Sequence, residues 1–384
     1  MIEFKNIVKK YGNQTIIKNF NLTINKGELV VLIGSSGSGK TTLLKMINRL
    51  SSNSGGQIFV NDIDIAKQDP IKLRRNIGYV IQQTGLFPHM TVKENIELIP
   101  KLIGKNQADI EQKTNELLKM VGLEDGFIDR YPTELSGGQQ QRVGVARAFA
   151  TDSEVILMDE PFSALDPITR ADLQEELFNI QKEQQKTIVF VTHDMDEAIN
   201  LADRICILRK GEIVQYDTPE NILKNPAGPY VEEFVGKGKI WSKPELIVAG
   251  DLSIQNPISI SPKRTVLQAI KIMSDKKIDS LPIVNREKHL LGHITLSQIQ
   301  KVSEKNSLIQ EVMNPKYITI TEDEPLVQVL EKFDIHQISS LPIINANGKL
   351  TGLITRSSLL SVLSMQFMEE GGSENGTIFS NTIG

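Results

Sequence analysis

Residues 29–47, LVVLIGSSGSGKTTLLKMI, restrict the fold more than any other stretch of this chain. A short apolar run with three β-branched residues reads as a strand buried on both faces, the kind found inside a parallel sheet. It breaks at Gly34, passes through Ser35, Ser36, Gly37, Ser38 and Gly39, and continues from Lys40, Thr41 and Thr42 into a stretch of helical character. Strand, Gly/Ser loop and helix in that order satisfy G-x-x-x-x-G-K-[ST] at Gly34, Gly39, Lys40 and Thr41. Glycines let successive backbone N–H groups turn inward as an anion nest, and the helix adds the positive end of its dipole. Lys40 supplies a point charge for β- and γ-phosphates, and the Thr41 hydroxyl is a ligand for Mg2+. The expected ligand is a nucleoside triphosphate.

The same alternation continues to about residue 235. The runs ELVVLIG, EVILMDE, TIVFVTHD and RICILRKGEIV read as strands; TTLLKMINRL, ADIEQKTNELLKMV and ADLQEELFNIQKEQ read as helices between them. Such alternation implies α/β architecture with a mostly parallel sheet. The 384 residues suggest two or three domains, and 40% apolar content is enough for buried cores. A formal charge of -4 gives no overall attraction to nucleic acid, and the single Cys206 excludes an internal disulfide and suits core packing. No apolar run approaches the length of a membrane span, and MIEFKNIVKKYG lacks the apolar stretch of an export signal. Work at a membrane would therefore need a separate anchor.

Two carboxylates follow the apolar run of VILMDEP. Asp159 is placed to support Mg2+ and Glu160 to polarise the attacking water. His193, in FVTHD, ends another apolar strand and is a candidate contact to the γ-phosphate. Between the phosphate loop and these carboxylates stands ELSGGQQQRVGVARAFA, residues 134–150.

The phosphate loop, LSGGQ and MDEP together resemble the ATP-binding subunit of an ABC transporter over residues 1–236. That resemblance implies a P-loop ATPase domain with a helical subdomain, and it assigns further residues. Ser136, Gly137, Gly138 and Gln139 would contact the γ-phosphate bound by a second copy, so that a homodimer encloses two ATP molecules. Tyr11 in KKYG would stack on adenine, an ordinary surface tyrosine being the alternative. Gln82, beside Gln83, would touch Mg2+ and sense a membrane partner. Asp166, in SALD, would couple the two sites, and TGLFPHMTV would receive a coupling helix from separate permease subunits served by an extracytoplasmic substrate-binding protein. The chain would then be peripheral, on the cytoplasmic face of the membrane. Soluble ABC ATPases of translation or DNA repair would show two cassettes or a long coiled coil, and a pure nucleotide sensor would lack Glu160 or His193; neither fits.

Beyond a Gly/Lys-rich linker expected over 237–250 lies an internal repeat. DSLPIVN returns as SSLPIIN and GHITLSQI as GLITRSSL, each with a helical stretch upstream. Two β-α-β-β-α units are expected, over 251–308 and 309–368, before a mobile tail at 369–384. They resemble tandem CBS domains, regulatory modules that commonly bind adenine-containing ligands. An ABC ATPase joined to such a pair resembles the quaternary-amine osmolyte importers for glycine betaine, carnitine and choline. Gln298 and Ser358 stand where ribose-binding CBS sites place an aspartate, which argues against simple AMP or ATP there. In related osmolyte ATPases the module is a receptor for cyclic di-AMP. By that resemblance Ile258, Ile278, Ser280, Ser340, Leu353, Thr355 and Arg356 are candidates, with Arg356 suited to bidentate pairing with phosphate. A purely dimerising module and ionic-strength sensing are the competing readings.

Overall fold

In a computed structural model of the chain, residues 1–82, 85–123, 125–236 and 246–360 are described. Two compact units emerge, Met1–Gly236 and Lys237–Gly384. Gln83, residues 237–245 of the expected linker, the end of the second repeat at 361–368 and the tail at 369–384 lie outside the described residues.

Among the described residues the N-terminal unit holds ten strands: β1 (Ile2–Tyr11), β2 (Gln14–Ile24), β3 (Leu29–Gly34), β4 (Gly55–Val60), β5 (Ile63–Asp64), β6 (Ile77–Val80), β7 (Val155–Asp159), β8 (Thr187–Val191), β9 (Arg204–Arg209) and β10 (Glu212–Asp217). Six of them form one sheet in the order β10-β9-β3-β8-β7-β6. All pairings from β9 to β6 are parallel, and only β10 runs against its neighbour. Every residue of β3, β7 and β8 is buried, which is why these strands read as unbroken apolar runs rather than as alternations. The RICILRKGEIV stretch, expected as one strand, is a hairpin. It turns at Lys210 (φ 49°) and Gly211 (φ 80°), the left-handed pair that a two-residue hairpin loop requires.

The second sheet, β2-β1-β4-β5, is antiparallel. It packs on the first through one shared core in which Phe4 and Phe20 meet edge to face at 5.2 Å, alongside Leu43, Ile47, Leu157 and Val189. The helical subdomain comprises Val92–Leu102 and Gln107–Met120, packed on the helix Gly137–Phe149.

The C-terminal unit holds β11 (Ile254–Gln255), β12 (Ser280–Val284), β13 (Leu290–Thr295), β14 (Ser340–Ile344) and β15 (Leu350–Thr355). Strands β12 and β13 recur as β14 and β15, and the helix Val266–Lys276 as Leu326–His336, at a displacement of 60, as does the left-handed residue ending each helix, Lys277 and Gln337. The two copies meet reciprocally. Leu290 N–H donates to Gly348 O at 3.2 Å and Leu350 N–H to Lys288 O at 2.9 Å, each bond being the image of the other. On the same pseudo-twofold, Ser280 Oγ lies 2.9 Å from its counterpart Ser340 Oγ.

The linker expectation needs correction at its end. Ile247 and Ala249 are buried in the second repeat's core beside Ile320, Val329 and Phe333. Their backbone is fixed by Ala249 N–H to Glu324 O and Leu326 N–H to Ile247 O, at 2.8 and 2.9 Å. The following strand β11 then extends the second repeat's sheet by pairing with β15. Residues 247–250 thus precede the expected first repeat and 251–255 open it, yet they belong structurally to the second.

Candidate functional site

Neighbouring strands β3, β8 and β7 end side by side, and each delivers functional residues from its carboxyl end, where α/β sheets bind ligands. From β3 comes the phosphate loop. A Cβ on Gly34 would stand 2.2 Å from Leu208 O, and one on Gly39 2.3 Å from Ile17 Cδ1; Gly39 also has φ 105°, so glycine alone fits both positions. Helix Lys40–Ile47 starts at Gly39, and its first N–H groups have no partner within the helix. Lys40 Nζ donates to Gly34 O at 2.7 Å and Ser35 O at 3.2 Å, bridging the loop. Burial pulls the Lys40 ammonium below its ordinary pKa, opposed by the charges of Glu160 and Asp159. Among the described residues Ser38 Oγ, buried within this loop, has no hydrogen-bond partner.

Asp159 closes β7, almost fully buried, and accepts from Thr41 Oγ1 at 2.9 Å. Burial pushes its carboxyl upward, helped by the Glu160 charge and opposed by the Thr41 hydroxyl. A buried carboxylate hydrogen-bonded to the loop threonine is a donor set that fits Mg2+. Glu160 has φ 49° and directs its carboxylate between two side chains: Gln82 Nε2 donates to Oε2 at 3.2 Å, and His193 Nδ1 lies 3.5 Å from Oε1. Gln82 and His193, on opposite sides of Glu160 in the chain, therefore share its carboxylate.

Other expected residues stand apart. Tyr11 ends β1 with its ring exposed; Lys9 Nζ covers one face at 4.6 Å from the centroid, and the hydroxyl lies 3.4 Å from Ser51 Oγ. Ser136 caps helix Gly137–Phe149 in a reciprocal box with Gln139, the two bonds being 2.9 and 3.3 Å. Asp166 caps the helix Pro167–Gln184 by accepting from Thr169 N–H, and hydrogen bonding from the Thr169 side chain first and its backbone second lowers the Asp166 pKa. Phe87 is exposed in a loop fixed by fully buried Asn95, whose Oδ1 accepts from Phe87 N–H while its Nδ2 donates to the carbonyls of Phe87, Met90 and Thr91. Asn95 was not singled out from sequence; the capping box Thr91/Glu94 just before it was the available signal.

In the C-terminal unit a cavity of about 830 Å3 is lined by Ile258, Ile278, Ser280, Leu353, Thr355 and Arg356, with Ser340 bonded to Ser280 beneath it. Lys277, Asp279, Met273 and Ile270, absent from the expected set, line it as well. Arg356 is anchored by its Nε–H to Ile338 O at 3.0 Å. Gln298 and Ser358 serve as helix caps instead: Gln298 Oε1 accepts from Thr295 N–H and Ser358 Oγ from Thr355 N–H.

Comparison with known proteins follows the same division. The profile of the ABC transporter family matches residues 17–163, and that of the CBS domain matches 249–305 and 309–365. The chain is 47% identical over 365 residues to the carnitine transport ATP-binding protein OpuCA of Listeria monocytogenes, covering 94% of this chain and 92% of that one. The chain belongs to the ABC transporter family. It is an ABC-type ATPase whose nucleotide is ATP, carrying a tandem CBS module. It is also 46% identical over 366 residues to the choline transport ATP-binding protein OpuBA of Bacillus subtilis, with 94% of this chain and 96% of that one aligned. A dimeric structure of MJ0796, a bacterial ABC transporter cassette, superimposes on 57% of this chain and 99% of its own, with TM-score 0.54 and 38% identity. Among the described residues no helix of this ABC ATPase is long and apolar enough to cross a membrane.

Proposed function

We propose that the chain is the ATP-hydrolysing subunit of an importer for quaternary-amine solutes such as carnitine, choline and glycine betaine. The observation that carries the ATPase chemistry is the convergence of Gln82 and His193 on Glu160 beside the phosphate loop. The solute class is taken from the relatives, named as carnitine and choline transport ATP-binding proteins and alike over nearly their full length.

In this reading the chain works as a homodimer. One copy's loop, from Gly34 to Thr42, holds the phosphates, and Lys40 neutralises the β- and γ-oxygens. Thr41, Asp159 and Gln82 would hold Mg2+, which when bound offsets charge building on the phosphates. Glu160 takes the proton of the attacking water, its carboxylate steadied at both oxygens by Gln82 and His193, and His193 reaches the γ-phosphate. Tyr11 stacks on adenine with the face that Lys9 leaves open. Ser136, Gly137, Gly138 and Gln139 of the second copy close the pocket with a hydroxyl and backbone N–H groups, and Asp166 couples the two pockets. ATP thereby closes the pair, and loss of the γ-phosphate releases it. The Phe87 loop docks separate permease subunits, so the ATPase sits peripherally on the cytoplasmic face of the membrane while an extracytoplasmic binding protein delivers solute. Turnover by the purified chain and by Glu160→Gln tests the chemistry: the parent hydrolyses ATP, and the variant accumulates as an ATP-bound dimer. Equal turnover by both would show that Glu160 is not the group that polarises water.

The CBS module is proposed to bind cyclic di-AMP and bias the ATPase pair toward an inactive arrangement. An 830 Å3 cavity with apolar walls and Arg356, Lys277 and Ser280 at its edges has the volume and polarity of a small-molecule site. A tenfold shift of the pair needs only about 1.4 kcal/mol of preference for one state. Calorimetry of the full chain with cyclic di-AMP tests this, and absence of heat at high micromolar ligand would remove it.

A further inference from the structure

Glu160 is held in a backbone conformation that glutamate seldom adopts. Its φ of 49° lies in the left-handed region, where a non-glycine residue persists only if its neighbours fix it. Its N–H donates to Val191 O at 2.9 Å on the adjoining strand. Its carbonyl accepts from Ser163 Oγ at 3.1 Å, Ser163 N–H at 3.4 Å and Gln141 Nε2 at 3.5 Å.

Gln141 organises this arrangement. It is 4% exposed, and its amide is engaged at both ends: Nε2 also donates to Ser163 Oγ at 2.9 Å, and Oε1 accepts from Ala164 N–H at 2.9 Å. The side chain belongs to the helix Gly137–Phe149, which opens at Ser136. A Cβ on Gly138 of that helix would stand 3.1 Å from Ala164 O, so helix and S-A-L-D loop are in close contact there too. One buried amide thus joins the signature helix, the S-A-L-D loop and the carbonyl of Glu160.

We infer that Gln141 is a positioning residue for ATP hydrolysis: it fixes the left-handed backbone of Glu160, and with it the carboxylate held by Gln82 and His193, and it carries displacements of the signature helix to that carboxylate. The inference rests on the reading of Glu160 as the group that polarises water.

The test uses the purified full-length chain and four variants: Gln141→Met, which keeps the volume and loses the amide, Gln141→Glu, Ser163→Ala, and the Gln141→Met/Ser163→Ala pair. Melting temperature, ATP affinity with Mg2+ by calorimetry, and turnover against ATP concentration are measured for each. In Gln141→Met, kcat falls about tenfold, equivalent to about 1.4 kcal/mol, while ATP affinity stays within about twofold. Gln141→Glu keeps the acceptor for Ala164 N–H but sets a carboxylate oxygen against the Glu160 carbonyl, and is at least as slow. Ser163→Ala slows the parent, yet adds little to Gln141→Met, because both act on one carbonyl. The inference is overturned if Gln141→Met turns over within about twofold of the parent, if ATP affinity falls in step with kcat, or if the two substitutions are additive. Should Gln141→Met fail to fold, parent-like kcat in both Gln141→Glu and Ser163→Ala overturns it, and slowed kcat at unchanged affinity in both supports it. Glu160→Gln run alongside keeps the two readings apart. Full turnover in Glu160→Gln removes the role of Glu160, whereas its loss together with a parent-like Gln141→Met removes only the positioning role.

Discussion

Gly39→Ala isolates what the phosphate loop demands of its backbone. The substitution meets two penalties of different origin. At φ 105° an alanine is outside the wells open to L-residues, a strain of about 1–3 kcal/mol. Its Cβ would also lie 2.3 Å from Cδ1 of Ile17, a side chain with no exposed surface, and overfilling a packed site costs about 1–3 kcal/mol. Because Cδ1 is the mobile end of that side chain, rotation relieves part of the contact, so the second penalty belongs at the low end of its range. Together they amount to roughly 2–4 kcal/mol against the 5–15 kcal/mol typical of a folded domain. For a unit of this size that lowers the melting temperature by roughly 4–15 °C. Calorimetry that follows the transition raised by added ATP assigns the effect to the ATPase unit. Ile17→Val removes Cδ1, so the double variant Gly39→Ala/Ile17→Val recovers about 1 kcal/mol of the contact penalty and none of the backbone strain. A Gly39→Ala chain that melts with the parent, or strict additivity with Ile17→Val, would refute this account of the loop.

Asp159, whose carboxyl is pushed upward chiefly by burial, gives a pH-dependent prediction. A carboxyl with a folded pKa above its unfolded one contributes stability that is full below the unfolded value and is lost as pH rises through the folded value. Asp159→Asn keeps an oxygen for Thr41 Oγ1 and should therefore melt higher than the parent at about pH 7.5, the gain vanishing toward about pH 4; no gain at the higher pH contradicts it. Tyr11→Phe keeps the ring and its Lys9 contact and should bind ATP within about twofold of the parent, whereas Tyr11→Ala should weaken binding roughly tenfold. Equal affinity for all three chains in a nucleotide titration would place adenine elsewhere. Arg356→Ala should weaken cyclic di-AMP binding by about tenfold or more, as loss of a charge-assisted contact predicts, and unchanged calorimetric affinity would remove Arg356 from that site.

What the sequence discloses depends on whether the signal is local. The phosphate loop is legible because its strand, glycines, lysine and threonine are consecutive, and their types alone dictate the turn. Strands β3, β7 and β8 are legible because burial on both faces leaves no polar interruption. Strands β1 and β2, half exposed and irregular in register, escape such a reading although they contribute Ile2, Phe4, Ile17 and Phe20 to the main core. The start of the helix Pro167–Gln184 is missed by four residues for a similar reason. Its opening turn is announced only by the Asp166 cap and Pro167, not by apolar period.

Neither the amide of Gln141 nor the membership of Ile247 and Ala249 in the second repeat has a local signal. Gln141 follows two other glutamines of the same composition, and only the approach of Ser163 and Ala164, more than twenty positions along, distinguishes it. The duplicated C-terminal unit shows the converse. Its backbone repeats faithfully, down to the register irregularities at Ile283/Val284 and Ile343/Ile344, because the apolar positions that set it are duplicated. Part of the cavity lining repeats, as Ser280/Ser340 and Ile278/Ile338 do, but its cations do not. Lys277 and Arg356 line it, and their counterparts at the same displacement are Gln337 and Leu296. Pro257 lines it too, and its counterpart Tyr317 is tethered by its hydroxyl to Leu290 O at 2.8 Å. Leu353 lines it, where the first repeat has His293, an imidazole that burial keeps below its ordinary pKa. A symmetric backbone carrying asymmetric cations and bulk gives this cavity a chemistry that the repeat by itself does not supply, so the departures from the repeat, not the repeat, set the character of its lining.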